Sequence, residues 1–445
     1  MWRTCPPEVV VERLPLHGIR LLDITVVWAG PFASMIFGDL GAEVIRVESV
    51  TTPGHMTRGH PNPPPNVISS PRGAYYVDRD PGERPWNRYS YFNFAARQKL
   101  AATVDLTKAQ GREIMMRLIA TSDVLLENNR NSTLKKLGIG YDEVRKVRPD
   151  IIYLSAPAYG TTGPYANFKG FGANTEAVVG HTWLRGYPDA DPSMTFVVFH
   201  SDAAAGASAV FALVAALEHR RRTGEGQFID MSQAENMIPH LTQAFMDYSM
   251  NGRSQTSLGN RDTAMTPQGA YKAKGEDQWI AISIESDAQW AAFCATIGQP
   301  SLAKDLRFKT VIARRRNHDE LDGIIAAWTQ QHDAYKAPAT LQAAGITAMP
   351  VLKYEEAHYD PHLTERGFYE LVAEPDAGVH LHPTRGFRLS ETPIHVRSPG
   401  PMLGEHNRYV YGHLLGYSAA EMRRFKEEKH IGKRYDAAAM TVGTS

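Results

Sequence analysis

A parallel-sheet α/β fold is what this sequence predicts, with a smaller α+β region in its middle. Three observations carry that expectation. Gly18 to Glu48 reads as strand, helix and strand within about 30 residues, the β-α-β unit of a parallel sheet. The same alternation returns between Thr103 and Gly160. From Thr263 the pattern changes to a hairpin followed by helices.

Taken in order, "GIRLLDIT" (Gly18 to Thr25) is a short aliphatic run and predicts a buried strand. "WAGPFASMIFGDLGA" (Trp28 to Ala42) predicts a turn and a helix, with Pro31 suited to the first helical position and Gly41 to the stop. "EVIRVE" (Glu43 to Glu48) is the second strand. The glycines here do not make the GxGxxG dinucleotide fingerprint, so a nicotinamide-binding role has little support. Residues 51–90 hold eight of the 28 prolines, which excludes a central strand or helix and predicts a long surface loop. Such a loop is either a lid or binding segment or a mobile decoration. Thr103 to Leu106 then predicts a short strand, Ala109 to Thr121 an amphipathic helix, and Asp123 to Asn129 another strand. Leu137 to Gly160 reads as helix, turn at Arg148 to Asp150, and strand. Its small-residue end, Tyr159 to Gly163, falls where open α/β sheets bind ligands. Asp202 to Arg222 is a strong helix with an acid at its start and a basic cluster at its end, matching the dipole twice. Thr223 to Ser232 predicts a turn and strand, with a boundary at Gly226. Thr263 to Ile284 predicts a hairpin turning at Lys274 to Asp277, and helices follow at Gln289 to Gln299, Asp319 to Gln331 and Tyr335 to Ala344. From Met349 short strands and turns alternate, and a helix closes the chain near Ser418 to Lys429.

Composition narrows the function classes. The 445 residues carry 48 Lys+Arg against 48 Asp+Glu, which leaves no basic surplus for a nucleic-acid backbone. Apolar residues are 43% and charged residues 22%, an ordinary globular balance. The longest apolar runs are broken by charges or glycine before the roughly 18 residues a membrane span needs. Met1 to Arg13 lacks an apolar signal core, and Cys5 and Cys294 fit no metal or redox spacing. A cytoplasmic protein with free thiols, no nucleic-acid partner and no membrane association is expected.

Four segments carry a family resemblance. They are Gly18 to Glu48, Thr121 to Tyr165 (with "TSDVLLENN" and "LGIGYDEVRKVRPDIIYLSAPAYGTTGPY"), Ser201 to Ser232 ("SDAAAGASAVFALVAALEHRRRTGEGQFIDMS") and Pro401 to Asn407 ("PMLGEHN"). In that order and spacing they resemble the class III CoA-transferases, which include formyl-CoA transferase, carnitine CoA-transferase and α-methylacyl-CoA racemase. The resemblance runs from about residue 16 to 432. It implies a Rossmann-like large domain whose parallel sheet is built from both chain ends, a small central α+β domain, and an interlocked dimer. The domain expectation is 1–225 for the first part of the large domain, 226–345 for the small domain with its linkers, and 346–445 for the return.

The resemblance also places the chemistry. Asp202 matches the catalytic aspartate, whose carboxylate takes an acyl group as a mixed anhydride and then carries CoA as a thioester, with no ATP. An aspartate at a helix start is also a good cap on its own account, worth about 1 kcal/mol. The small run Ala203 to Gly206 lets a bulky substrate approach. Val26, Val27 and Ala29 match the loop whose backbone holds CoA, and Trp28 stands where formyl-CoA transferase has a glutamine beside the acyl group. Arg46 and Lys136 match phosphate-contacting positions, and Arg97, Lys99, Lys169 and Asn128 are further candidates for the CoA path. Each basic residue reads equally as solvated surface charge. Phe171 matches an aromatic that contacts CoA. The racemase branch uses a His–Asp pair where this chain has Phe171 and Gly172, so racemisation is not expected.

Three departures bear on the substrate. Trp28 implies a more apolar acyl pocket. The glycine-rich flap has no counterpart near Leu258 to Gly269. The usual "ENFRPG" reads "ENNRNS" (Glu127 to Ser132). Together they point away from formate or oxalate, to a larger, partly apolar carboxylic acid, an aromatic one among the candidates, with a common donor such as succinyl-CoA. CoA and acyl-CoA enter as substrates, and no permanently bound cofactor is expected. The partner is a second copy or a paralogous subunit. Intramolecular CoA transfer, racemisation and a non-catalytic subunit remain as alternative readings. Among 17 histidines, His358 and His362 are separated by a helix-breaking proline, and His380 with His382 reads as a solvated pair. No metal ligand set is expected. No GxSxG elbow is present either.

Overall fold

The computed structural model describes residues 14–196 and 198–441. Cys5 lies outside the described residues. The chain divides into two compact units. Unit 1 comprises 1–179, 197–245 and 367–445; unit 2 comprises 180–196 and 246–366.

Unit 1 is built on six parallel strands. They are β1 (Arg20–Asp23), β2 (Glu43–Glu48), β3 (Lys99–Thr103), β4 (Val124–Glu127), β5 (Ile152–Ser155) and β6 (Gln227–Asp230). Their spatial order is β3-β2-β1-β4-β5-β6. That is the doubly wound order, and the direction of winding reverses between β1 and β4. Adjacent residues of one strand serve opposite faces. Leu22 and Leu125 join a core with Ile114, Met115, Leu118, Val410, Tyr411 and Phe425. Leu21, Val124 and Leu126 join a second core with Phe37, Leu213, Ala216 and Leu217. Helices therefore cover both faces, as parallel sheets require. The helices used below are α1 (Ala29–Asp39), α2 (Ser90–Ala96), α3 (Ala109–Ala120), α4 (Tyr141–Val147), α5 (Gly172–Val178) and α6 (His200–Thr223).

Several expectations change. Every strand of the main sheet comes from residues 20–230, so the sheet is not built from both chain ends. The C-terminal part returns instead as packing and as an edge cover. The motif at Pro401 to Asn407 caps β3: the Asn407 Oδ1 accepts the Thr103 N–H at 2.8 Å, and His406 N donates to Ala101 O at 2.9 Å. These contacts satisfy backbone groups that an edge strand leaves open. The strand expected at Thr103 to Leu106 lies earlier, at Lys99 to Thr103, because its buried pairing is with Val44 to Glu48.

The boundary expected at Gly226 is also displaced. A Cβ on Gly226 would lie 2.3 Å from backbone atoms of Asp150 and Ile151, so this glycine admits β6 alongside β5. Unit 1 accordingly runs on through Phe245. The proline-rich stretch is a chain of short helical turns with buried side chains, among them Thr57, Arg58, Tyr76 and Trp86, rather than a loop lying wholly on the surface. The α6 helix is long and apolar enough by length and composition to cross a bilayer, contrary to the sequence expectation. Half of that window is buried in the fold, and its inner face packs on α1.

Unit 2 holds a three-stranded antiparallel sheet of β7 (Gln268–Lys272), β8 (Trp279–Ser283) and β9 (Thr347–Pro350). Its core gathers Ile280, Ile282, Trp290, Phe293, Leu321 and Leu341, with Cys294 as a buried free thiol. The segment 180–196 belongs to this unit: Gly259 N donates to Gly186 O at 3.0 Å, and Asn260 Nδ2 donates to the Tyr187 hydroxyl at 2.9 Å. In unit 1, β10 (Tyr369–Glu374) and β11 (Gly378–Pro383) form a separate hairpin.

Replacing the buried Lys99 tests how far unit 1 depends on internal ion pairs. Its Nζ donates to Asp23 at 2.9 Å, to Pro31 O at 3.0 Å and to Ser34 Oγ at 2.7 Å. Lys99→Met is expected to cost about 3–5 kcal/mol, read by urea denaturation followed by tryptophan fluorescence.

Candidate active site

The site lies at the carboxyl ends of β1 and β4, the reversal point of the sheet, where doubly wound folds bind ligands. Beyond β1 the chain runs through Val26, Val27 and Trp28 into α1. Beyond β4 stand Asn128 and Asn129. The two loops are tied together: Val26 N donates to Asn128 Oδ1 at 2.7 Å, Asn128 Nδ2 donates to Val26 O at 2.9 Å, and Asn129 Nδ2 donates to Ile24 O at 3.0 Å. Glu127 lies behind them, accepting the Asn129 N–H at 2.7 Å and the Ser155 hydroxyl. Burial raises its carboxyl to about 7.

Val27 adopts φ +63°. For a β-branched residue that left-handed conformation is an outlier, costing about 1–3 kcal/mol, and it persists only where the surroundings hold it. Thr57 Oγ1 accepts the Val27 N–H at 3.0 Å, and the Tyr91 hydroxyl donates to Trp28 O at 3.3 Å. The rings of Trp28 and Phe32 stack at 4.9 Å, and those of Trp28 and Tyr91 at 6.0 Å. The result is an aromatic wall from Tyr91 through Trp28 to Phe32.

Asp202 is buried, with 5% of its surface exposed. The sequence expectation placed it as the cap of its own helix. The helix instead starts two residues earlier, Phe199 takes the cap position at φ +52°, and Asp202 falls in the first turn. The Ala29 backbone at the start of α1 lies near enough to favour the ionised form of Asp202. The carboxylate therefore meets the positive ends of two helices, its own and α1. Burial still dominates, and Glu176 adds like charge, so the Asp202 carboxyl rises from 3.8 to about 6. It also raises Tyr91, whose burial already holds that phenol neutral.

Two glycines make room for this carboxylate. A Cβ on Gly172 would sit 1.8 Å from Asp202 Oδ2. A Cβ on Gly206, one turn along α6, would meet Phe32 at 2.7 Å and the Ala29 carbonyl oxygen at 2.9 Å. Ser201 locks the same corner: its hydroxyl pairs with Thr175 Oγ1 at 2.8 Å and donates to Gly172 O at 3.1 Å, and its N–H donates to Glu176 at 3.3 Å.

The other candidate residues separate into groups. Val26, Val27, Trp28, Ala29 and Asn128 are brought together, but Asn128 is spent on the backbone of Val26. Arg46 and Lys99 are buried against Asp23, with Arg46 Nη1 at 3.3 Å. Arg97 is fully buried, paired with Asp39 at 3.0 Å and donating to Pro383 O at 2.6 Å. These three cations are internal, not the exposed charges a sequence reading offers for a phosphate. Lys136 and Lys169 face solvent, and Phe171 is exposed beside Gly172. Sequence reasoning missed Gly172 as a contact, Glu176, Tyr91 and Thr57. Only Glu176 left a trace, as a lone acid in the small-residue run "GANTEA".

A cavity of about 440 Å³ lies against the face of α2 that carries Ser90, Asn93 and Phe94. Tyr75, Tyr76, Asn93, Phe94, Glu374 and His382 line it. His382 is buried 3.4 Å from Glu374, so it is not half of a solvated pair with His380. Burial lowers His382 to about 4 and raises Glu374 to about 7. Among the described residues no group of three or more metal-ligating side chains occurs.

Comparison with known proteins decides the family. The model of CoA-transferase family III matches residues 16–407. This chain belongs to that family. It is similar to a succinyl-CoA–D-citramalate CoA-transferase of Chloroflexus aurantiacus, 31% identical over 94% of this chain and 98% of the relative. A succinyl-CoA:glutarate CoA-transferase of Mus musculus is 30% identical over 95% of this chain and 92% of its own length. Among solved structures, a CAIB/BAIF family protein from Brucella suis superposes with TM-score 0.78 at 30% identity, covering 90% of this chain and all of that one. The protein is thus a class III CoA-transferase.

Two outcomes follow for the transferase. The folded state raises the Asp202 carboxyl, so it binds that proton more tightly than the unfolded chain does. The resulting stabilisation is fully present below about pH 4 and is lost as pH rises through about 6. At pH 8 the ionised side chain costs the fold about 3 kcal/mol. Asp202→Asn should therefore raise the melting temperature at pH 8 and have little effect near pH 4, as measured by thermal unfolding at both values. Gly172→Ala drives a methyl into the carboxylate, and should lower turnover by about 100-fold or more while the circular dichroism spectrum stays that of the parent.

Proposed function

We propose that the enzyme moves CoA from an acyl-CoA donor, succinyl-CoA foremost, to a carboxylic acid larger than formate, through covalent intermediates on Asp202. The observation that carries this reading is a buried carboxylate raised to about 6, set against the start of α1, with an aromatic wall on the adjoining loop. The succinyl-CoA-dependent relatives support the donor.

The steps balance without ATP or redox change. An Asp202 oxygen attacks the donor thioester carbonyl, the C–S bond breaks, and CoA thiolate leaves a mixed anhydride on Asp202. The thiolate attacks the Asp202 carboxyl carbon, expelling the donor acid as a carboxylate and leaving an aspartyl-CoA thioester. The acceptor carboxylate attacks that carbon and releases the thiolate. The thiolate then attacks the acceptor carbonyl, which gives acceptor-CoA and restores Asp202. Each tetrahedral step develops charge on an oxygen of the side chain or of the acyl group. The N–H groups at the start of α1 are placed to receive it. Asp202 must be ionised to attack, and a value near 6 leaves it so at neutral pH while keeping it more basic than an exposed aspartate.

Trp28, Phe32 and Tyr91 form the acyl side of the pocket, which favours a carbon chain over formate. The cavity beyond α2, with aromatic faces at Tyr75 and Phe94 and an amide at Asn93, receives the nucleotide end of CoA. In this reading the proline-rich segment is a binding segment. Two subunits associate, as an interlocked dimer of this chain or with a paralogous subunit. Phe211 and Val214 on the outer face of α6 and Phe228 on the edge strand β6 offer exposed apolar surface for that contact. Racemisation is disfavoured, because position 172 has no room for the side chain of a base.

The test is mass spectrometry after incubation with succinyl-CoA and trapping with hydroxylamine or borohydride. Modification should map to Asp202 and disappear in Asp202→Asn. An unchanged adduct in that variant, or CoA transfer to glutarate and other dicarboxylic acids that survives it, rules the mechanism out. Turnover should fall as pH drops below about 6, with the acidic limb set by Asp202.

A further inference from the structure

We propose that Thr57, from the proline-rich segment, is a positioning residue for Asp202. Its Oγ1 holds Val27 in the left-handed conformation that presents the Ala29 N–H to the Asp202 carboxylate. The inference rests on the reading of Asp202 as nucleophile.

The strained residue needs a restraint at its own peptide. Asn128 fixes the residue before it, by two hydrogen bonds to Val26, and Tyr91 fixes the residue after it, through Trp28 O. Thr57 reaches Val27 itself, accepting its N–H at 3.0 Å. Thr57 is buried and cannot follow a relaxing loop. The next residue, Arg58, is fully buried and held on all sides: it donates to both Glu48 oxygens at 2.6 and 2.7 Å and to Pro401 O at 3.0 Å, and lies 3.6 Å over the Phe92 ring. The end of β2 thus sets the position of Thr57, and Thr57 sets that of Val27. Two residues on, Ala29 opens α1 and opposes the effect of burial on Asp202. If Val27 relaxes, that N–H withdraws, and Asp202 ionises only at higher pH. Among the described residues, Glu176 on α5 and Tyr91 on α2 are the other titratable groups facing Asp202.

The experiment follows the rate at which succinyl-CoA labels Asp202, by borohydride trapping and mass spectrometry, from about pH 5 to 8. Thr57→Val keeps the shape and removes the acceptor; Thr57→Ser keeps the acceptor. Thr57→Val should label about twofold more slowly at pH 6, with its acidic limb moved up by about half a unit, and Thr57→Ser should keep the parent limb. Adding Val27→Gly to Thr57→Val should recover the limb, since glycine takes positive φ without penalty. A parent-like limb in Thr57→Val, or no recovery with glycine, overturns the proposal. If Thr57→Val does not fold, Asn128→Ala loosens the same turn through Val26 and is expected to shift the limb in the same direction; an unmoved limb there counts equally against it. Asp202→Asn separates the two levels. Labelling that persists in it removes the nucleophile reading itself, whereas its loss alongside an unmoved Thr57→Val limb removes only the positioning role.

Discussion

The buried carboxylate of Asp23 holds this architecture together. It ends β1 and accepts from Thr25 N at 2.9 Å, the Thr25 hydroxyl at 2.5 Å, Ser34 Oγ at 2.7 Å, Lys99 Nζ at 2.9 Å and Arg46 Nη1 at 3.3 Å. Those partners come from α1, β2 and β3, so one charge ties together the elements around the strand that leads into the site. Burial alone would push Asp23 up, but the two cations outweigh it and hold the carboxyl well below the usual carboxylate range. Lys99 bears the opposite consequence, lowered by burial to about 8 despite the pull of Asp23. Such a cluster is not a source of large net stability, because desolvation consumes most of the attraction. Its effect is directional: the chain leaves β1 at a fixed angle, and Val26 to Ala29 start from a fixed point.

Asp202 shows what the same burial does without cations. Among the described residues no basic side chain pairs with it, so desolvation prevails, and its carboxyl rises where that of Asp23 falls. One fold thereby holds one aspartate ionised as a structural anchor and leaves another with its carboxyl raised to about 6. Separating two like groups by their environments is a general route to assigning chemical roles. The raised carboxyl is costly to hold ionised, and the strain at Val27 adds to that cost. Both are offset by the aliphatic cores on the two faces of the sheet.

Much of unit 1 was legible in the sequence. β2 and the helix Ala109 to Ala120 fall at or within a residue of their expected positions, because buried strands and amphipathic helices are written in local periodicity. The register of β3 was not, since "KLAAT" and "TVDL" are equally strand-like and only pairing with β2 selects the first. The C-terminal return could be placed in the large unit, but not its manner of return. Asn407 and His406 satisfy a strand edge with side chains as well as backbone, and no strand pattern announces that. The segment between Phe171 and Asp202 likewise gave no sign that 180–196 would pack with residues near 259.

At the site the division is sharper. The sequence by itself determined the family, the nucleophile candidate and the loop at the end of β1, because chain order and short motifs preserve them. It offered Arg46, Arg97 and Lys99 as cations on the CoA path, for a basic residue looks the same whether it meets a phosphate or an internal aspartate. Only the tertiary structure decided that these three are internal, that Asn128 serves the backbone of Val26, and that Gly172 is the surface against which Asp202 rests. The physical reason is that burial and partnership are properties of three-dimensional neighbourhoods. Desolvation and Coulomb terms set charge state and role, and both depend on residues as far apart in the chain as 29 and 202.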